Sequence, residues 1–121
     1  FGFSFDSGNL LGGDDVILAV GVPTHTTSSR VETFHQSGQV LLFSFLELAS
    51  FQNTSAISTI DNFHTQSRFG FSILAEDLNG DNVEDLVVGE PLRSDPWPVP
   101  NPVEFGSIYG FLGGKNFPTG E

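Results

Sequence analysis

Apolar residues in this chain fall in short runs, each cut off by glycine, proline or a polar cluster. FGFSF at the start and FGFSIL from Phe69 are aromatic and β-branched, the composition of short strands. VILAVGVP and DLVVGEP are continuous apolar runs that stop at Gly-x-Pro. That pattern predicts strands buried on both faces and ended by turn chemistry. GQVLLFSFLEL and GSIYGFLGG predict a third strand in each half, begun in both cases by a glycine. AISTI at Ala56–Ile60 is a weaker fourth candidate. No segment carries a helical period of useful length. SFLELASFQ, residues 44–52, admits at most a short helical turn, and the non-helical reading is preferred. The expected fold class is all-β.

The runs recur. FGFS stands at Phe1–Ser4 and again at Phe69–Ser72, 68 positions on. GVP at Gly21–Pro23 returns as GEP at Gly89–Pro91, and GQVLLF from Gly38 returns as GSIYGF from Gly106, both at the same spacing of 68. Three anchors at one ungapped offset make the chain two copies of one unit. Four strands per copy is the arithmetic of a propeller blade. The expected division is residues 1–60 and 61–121.

Composition narrows the partners. At 121 residues the chain suits one ordinary domain, and 14 glycines, 7 prolines and 13 phenylalanines suit a β-rich core. The longest apolar runs fall well short of the roughly 18 residues of a membrane span. The chain opens on FGFSF without a basic leader region, which reads as a mature or excised piece. Net charge is −11, with only Arg30, Arg68, Arg93 and Lys115 as fixed cations. That argues against a nucleic-acid footprint and against attachment to anionic lipid, and favours cations as partners or plain solubility. The absence of cysteine removes disulfides and thiolate metal sites without fixing a compartment.

The acid is concentrated where it is least expected. EDLNGDNVED, residues 76–85, holds five acidic residues and runs straight into the apolar LVV. Asp77, Asn79 and Asp81 alternate, so a tight loop would turn their oxygens to one side. The Val83 carbonyl and Asp85 would complete the set. All are hard donors, suited to Ca²⁺ with six to eight oxygens at about 2.3–2.6 Å, and less to Mg²⁺ with its strict octahedron. An EF-hand would need a bidentate Glu at position 12, where this chain has Val88. Asp-x-Asn-x-Asp is also ordinary turn chemistry, and the plain alternative is a solvated acidic turn. Glu76 and Glu84 are expected to point outward. In the first copy the equivalent positions are Asn9, Leu11, Gly13, Asp15 and Ile17, which cannot form such a cage. The first loop should therefore keep its length and carry no calcium.

The order FG, acidic loop, DLVVGEP, GSIYGF resembles the FG-GAP repeat, a family that includes the propellers of integrin α subunits and of glycosylphosphatidylinositol-specific phospholipase D. The match covers essentially the whole chain as two consecutive four-stranded blades. The resemblance implies a seven-bladed β-propeller completed by further blades of the same or another chain. It also implies a nine-residue calcium loop at Asp77–Asp85 and an extracellular, secreted or cell-surface protein. Asn82 departs from the glycine usual in such loops, a change that its tolerance of positive φ softens. Two functions follow: a non-catalytic scaffold, adhesion or protein-interaction module, or the accessory propeller of a phospholipase D-like hydrolase that cleaves glycosylphosphatidylinositol anchors. In the second case the zinc chemistry belongs to a separate domain whose ligands are not visible here.

Nothing else nominates chemistry. His25, His35 and His64 are scattered on loops and fit no zinc spacing, and no serine sits in a nucleophile motif. The pairs Asp14–Asp15 and Glu84–Asp85 are chain neighbours rather than facing carboxylates. No catalytic residue is assigned, which leaves open whether the parent protein is an enzyme. PLRSDPWPVPNPVEFG should be a stiff extended excursion, with Trp97 packing it onto its own blade in preference to anchoring a partner. Its counterpart THTTSSRVETFHQS should be polar and mobile. Asn53-Thr54-Ser55 is a glycosylation sequon and points weakly outward.

Overall fold

The computed structural model describes residues 1–49, 55–93, 106–115 and 117. Asn53, Trp97 and most of the proline-rich excursion lie outside the described residues. In chain order the elements are β1 (Ser4–Gly8), β2 (Ile17–Val22), β3 (Thr27–Ser28), β4 (Thr33–Phe34) and β5 (Gln39–Ser44). They continue with α1 (Phe45–Ala49), β6 (Ser58–Asp61), β7 (Ser72–Glu76), β8 (Asp85–Glu90) and β9 (Ser107–Phe111). Strands β1, β2, β5 and β6 form one antiparallel sheet in that order, and β7, β8 and β9 form another.

The two sheets repeat residue for residue. Ser4 pairs with Gly21 and Ser72 with Gly89. Val22 pairs with Gln39 and Glu90 with Ser107. Both pairings advance by the spacing found in the sequence, because turns of equal length set the register. The fourth strand of the first sheet, β6, starts two residues later than expected and pairs with β5 through Val40–Ile60. Among the described residues the second sheet has three strands.

The sheets stack face to face. Ile17, Ala19, Val40, Leu42 and Ile60 of the first meet Ala75, Leu86 and Val88 of the second, with Leu10, Phe69 and Phe117 closing the edges. Phe69 lies edge-on to Tyr109 at 5.5 Å and to Phe111 at 6.5 Å between ring centroids. The Phe69–Gly70 turn lies so close to the first sheet that side chains are excluded beneath it. A Cβ at Gly21 would overlap the Gly70 carbonyl, and one at Gly38 would overlap that of Phe69.

Three expectations change. Burial on both faces holds poorly for β8, where Leu86, Val88 and Glu90 are buried but Val87 and Gly89 are only half-buried. Its second face looks away from the first sheet. The run after β5 does form a short helix. Ser44 Oγ accepts from Glu47 N at 3.3 Å, and Asp15 Oδ1 reaches from another loop to accept from Leu46 N at 3.1 Å. The segment expected to be polar and mobile instead makes a hairpin of β3 and β4. Ser29 Oγ accepts from Glu32 N at 3.0 Å across its turn, and Phe34 packs edge-on to Phe63.

Candidate metal centre

The loop from β7 to β8 is organised by its own side chains. Gly80 and Asn82 take left-handed φ values of 80° and 65°, which folds the chain back sharply. Asp77 Oδ1 accepts from Gly80 N at 2.8 Å and Asp81 N at 3.2 Å, while its Oδ2 accepts from Asn82 N at 2.9 Å. Asn79 Oδ1 accepts from Asp81 N at 3.2 Å, and Asp81 Oδ1 from Val83 N at 3.0 Å. These bonds turn the oxygens back onto the loop. The backbone N–H of Asn82, followed by those of Gly80, Asp81 and Asn79, holds the Asp77 carboxyl below its ordinary 3.8, against a smaller opposing effect of desolvation.

Asp85 behaves differently. It opens β8 fully buried, and its two oxygens accept from Leu78 N at 2.9 Å and Gly113 N at 2.8 Å. The carboxylate thus ties both ends of the loop and the exit of β9 together. Among the described residues no three His, Cys, Asp or Glu side chains gather as a metal-ligand group. The donor chemistry nevertheless fits a hard divalent cation: Asp77 Oδ1 accepts two N–H groups, but Asp77 Oδ2, Asp81 Oδ1 and both Asp85 oxygens accept one each and keep a lone pair. In the first copy, the loop of the same length buries Leu10 and places Ile17 in the core. Asp6 there accepts from Ala75 N at 2.8 Å. Asp15 serves the helix.

Glu84 corrects an expectation. It does not point outward: its Oε2 accepts from Asn9 N at 3.0 Å, and its side chain lies against Gly8 of the first sheet. Glu76 is exposed as expected.

A second polar cluster escaped the sequence reading. Glu90, fully buried, accepts from Asn62 Nδ2 at 2.6 Å and lies 3.1 Å from His64 Nδ1. Arg93 Nη1 donates to Tyr109 OH at 3.0 Å and lies 3.2 Å from the same His64 nitrogen. A ring unprotonated at Nδ1 accepts from Arg93; one protonated there donates to Glu90. Burial raises the Glu90 pKa, but hydrogen bonds from Ser67, Tyr109 and Asn62 together with the charge of His64 outweigh it and leave it below 4.5. The available signal was the first copy, where Val22 holds the same place in Gly-x-Pro.

Two sheets whose first three strands repeat in register and that stack through their apolar faces define a protein built from β-sheet repeats, with an acidic loop between the first two strands of one of them. Residues 69–111, in the second copy, match the FG-GAP repeat. Over 99% of its length the chain is 32% identical to phosphatidylinositol-glycan-specific phospholipase D of Bos taurus, spanning 15% of that protein. It is 23% identical to integrin alpha-8 of Mus musculus over 92% of its length, spanning 9% of that protein. Integrin alpha-PS2 of Drosophila melanogaster is 32% identical over 51% of this chain, which spans 4% of it. The chain therefore corresponds to a small part of each of these relatives. Among the described residues no helix is long and apolar enough to cross a membrane.

Proposed function

We propose that this chain is a calcium-binding segment of an FG-GAP β-propeller and serves as a non-catalytic scaffold or protein-interaction module on the extracellular side. The observation that carries this reading is the Asp77–Asp85 loop, set between β7 and β8 of an FG-GAP repeat and already bent by its own oxygens. Asp77, Asn79, Asp81 and Asp85 would hold Ca²⁺ with the carbonyl of Val83. The ion would offset repulsion among the carboxylates and join two strands to the exit of β9. Residues 1–60 and 61–121 would each be one blade, with further blades of the same or another chain completing the ring. The sequon at Asn53 agrees with an extracellular setting.

The test is a calcium titration followed by thermal unfolding. Binding at a hundredfold excess over Kd should stabilise the wild type by about 2.7 kcal/mol. Asp81→Ala should lose most of that response, and magnesium should reproduce it weakly. Equal melting temperatures with and without calcium in both proteins would overturn the proposal. The identity of 32% with phosphatidylinositol-glycan-specific phospholipase D favours one further reading. There the segment is the accessory propeller of a hydrolase of that kind, whose catalytic domain lies outside this chain. A hydrolase domain encoded in the same gene would decide for it; further blades followed by β-sandwich modules would decide for adhesion.

A further inference from the structure

Asn79-Gly80 is the one place in this chain where an asparagine precedes a glycine. Asn9, Asn53, Asn62, Asn82, Asn101 and Asn116 are followed by Leu10, Thr54, Phe63, Val83, Pro102 and Phe117. The distinction is chemical. A backbone nitrogen can attack the carboxamide carbon of an asparagine just before it, and glycine eases that approach because it carries no Cβ. Both residues are exposed in the loop between β7 and β8.

The loop prepares one reactant and restrains the other. Asn79 Oδ1 accepts from Asp81 N at 3.2 Å, which folds the carboxamide back over the intervening Gly80 peptide. The same bond draws electron density from the carboxamide carbon and makes it a better target. A Cβ at Gly80 would meet nothing within 4 Å, so this peptide is open to water. Its nitrogen, however, donates to Asp77 Oδ1 at 2.8 Å. That carboxylate holds the proton that must leave before the nitrogen can attack, and its charge opposes the anion that would form. Asp77 is itself fixed by the N–H groups of Asp81 at 3.2 Å and Asn82 at 2.9 Å.

We infer that Asn79 is a site of spontaneous deamidation and that Asp77 is the brake on it. Gly80 N gives its proton to a base in the solvent, bonds to Asn79 Cγ and expels Nδ2, which leaves as ammonia with a proton from water. The product is a cyclic succinimide. Water then opens the ring at either carbonyl, and nothing is oxidised or reduced. Opening at Cγ leaves aspartate at this position, with one more negative charge. Opening at the backbone carbonyl leaves an isoaspartyl link, whose main chain runs through Cβ and Cγ and is one carbon longer. That carbon falls inside the span of the bonds from Asp77 to Gly80, Asp81 and Asn82 and puts them out of register. The inference goes beyond the calcium reading and does not depend on it.

The full chain is aged in mildly alkaline buffer made with heavy-oxygen water and a chelator, then mapped by peptide mass spectrometry. The reference is a synthetic peptide, EDLNGDNVED, the sequence of residues 76–85 without its fold. Loss of ammonia with uptake of heavy oxygen is expected at Asn79 ahead of every other asparagine. Isoaspartyl product, read by enzymatic methyl transfer to its free carboxyl, should accompany aspartate. The folded wild type should convert about tenfold more slowly than the peptide, and Asp77→Ala should recover most of that factor. Asp77→Asn, which keeps an oxygen acceptor at the same place, should stay nearer the wild-type rate, and thermal melts check that both variants are folded. Conversion at Asn79 no faster than at Asn9 or Asn62 would overturn the inference. So would equal rates in wild type and Asp77→Ala, or a slower rate in the variant. Calcium-dependent melting that survives such a failure leaves the proposed function standing.

Discussion

Phe1 and Phe69 occupy the same place in the repeat, yet the first is 79% exposed and the second 2%. Chemistry is equal, so the difference in environment should govern the cost of removing each ring. Phe69→Ala should destabilise the chain by about 3–5 kcal/mol, against roughly 0.5 kcal/mol or less for Phe1→Ala, read by urea unfolding. Glu90 is the other residue whose setting decides its effect. Its folded pKa lies below 4.5, so the folded state releases this proton more readily than the unfolded chain. The resulting stability is present above that value and is lost as pH falls through the folded pKa. Denaturant midpoints measured from about pH 5 down to pH 3 should therefore fall, with a shallower slope in Glu90→Gln. Asp77, also lowered, acts in the same direction and keeps the slope from vanishing.

At the scale of elements, the acidic loop and the first sheet are joined through Glu84. Its bond to Asn9 N links the chain between two expected calcium ligands to the end of β1. Glu84→Ala should cost about 1 kcal/mol of stability by thermal unfolding, from the lost hydrogen bond and the freed N–H. An unchanged melting curve would show that the bond contributes nothing. The principal strands were legible because each is a compact apolar run with glycine or proline at its end. The helix was less so, although Ser44-Phe45-Leu46-Glu47 spells the Ser-x-x-Glu of a helix start. Five residues carry little intrinsic helical preference, and the decisive bond comes from Asp15, 31 positions away. The hairpin of β3 and β4 was hidden for a similar reason: THTTSSRVETF has no apolar alternation, and the packing of Phe34 on Phe63 holds it.

For the molecule as a whole, the stack has two open ends. Phe5 on one and Ile108 on the other are exposed by 69% and 79%. Exposed apolar side chains of this kind favour association, and a net charge of −11 opposes it by like-charge repulsion. Raising ionic strength should therefore promote association in sedimentation velocity. Phe5→Ser combined with Ile108→Asp should suppress that association while changing unfolding stability by less than about 0.5 kcal/mol each. Association that persists undiminished in the double variant would place the contact elsewhere.

What the sequence by itself determined was the repeat, its strand order and the place of the acidic loop, all of them properties of local pattern. Strand periodicity, turn residues and a constant spacing are written in neighbouring positions and need no partner to be read. The tertiary structure alone decided which copies of equivalent residues are buried, since Phe1 and Phe69 differ only in what lies against them. It also decided that Asp6, Asp15 and Glu84 serve contacts between distant segments, and that Glu90 gathers Asn62, Ser67, His64 and Arg93 around one buried charge. A charged side chain takes its role from the groups that desolvate and pair it. Those groups come together only when one sheet is laid upon the other.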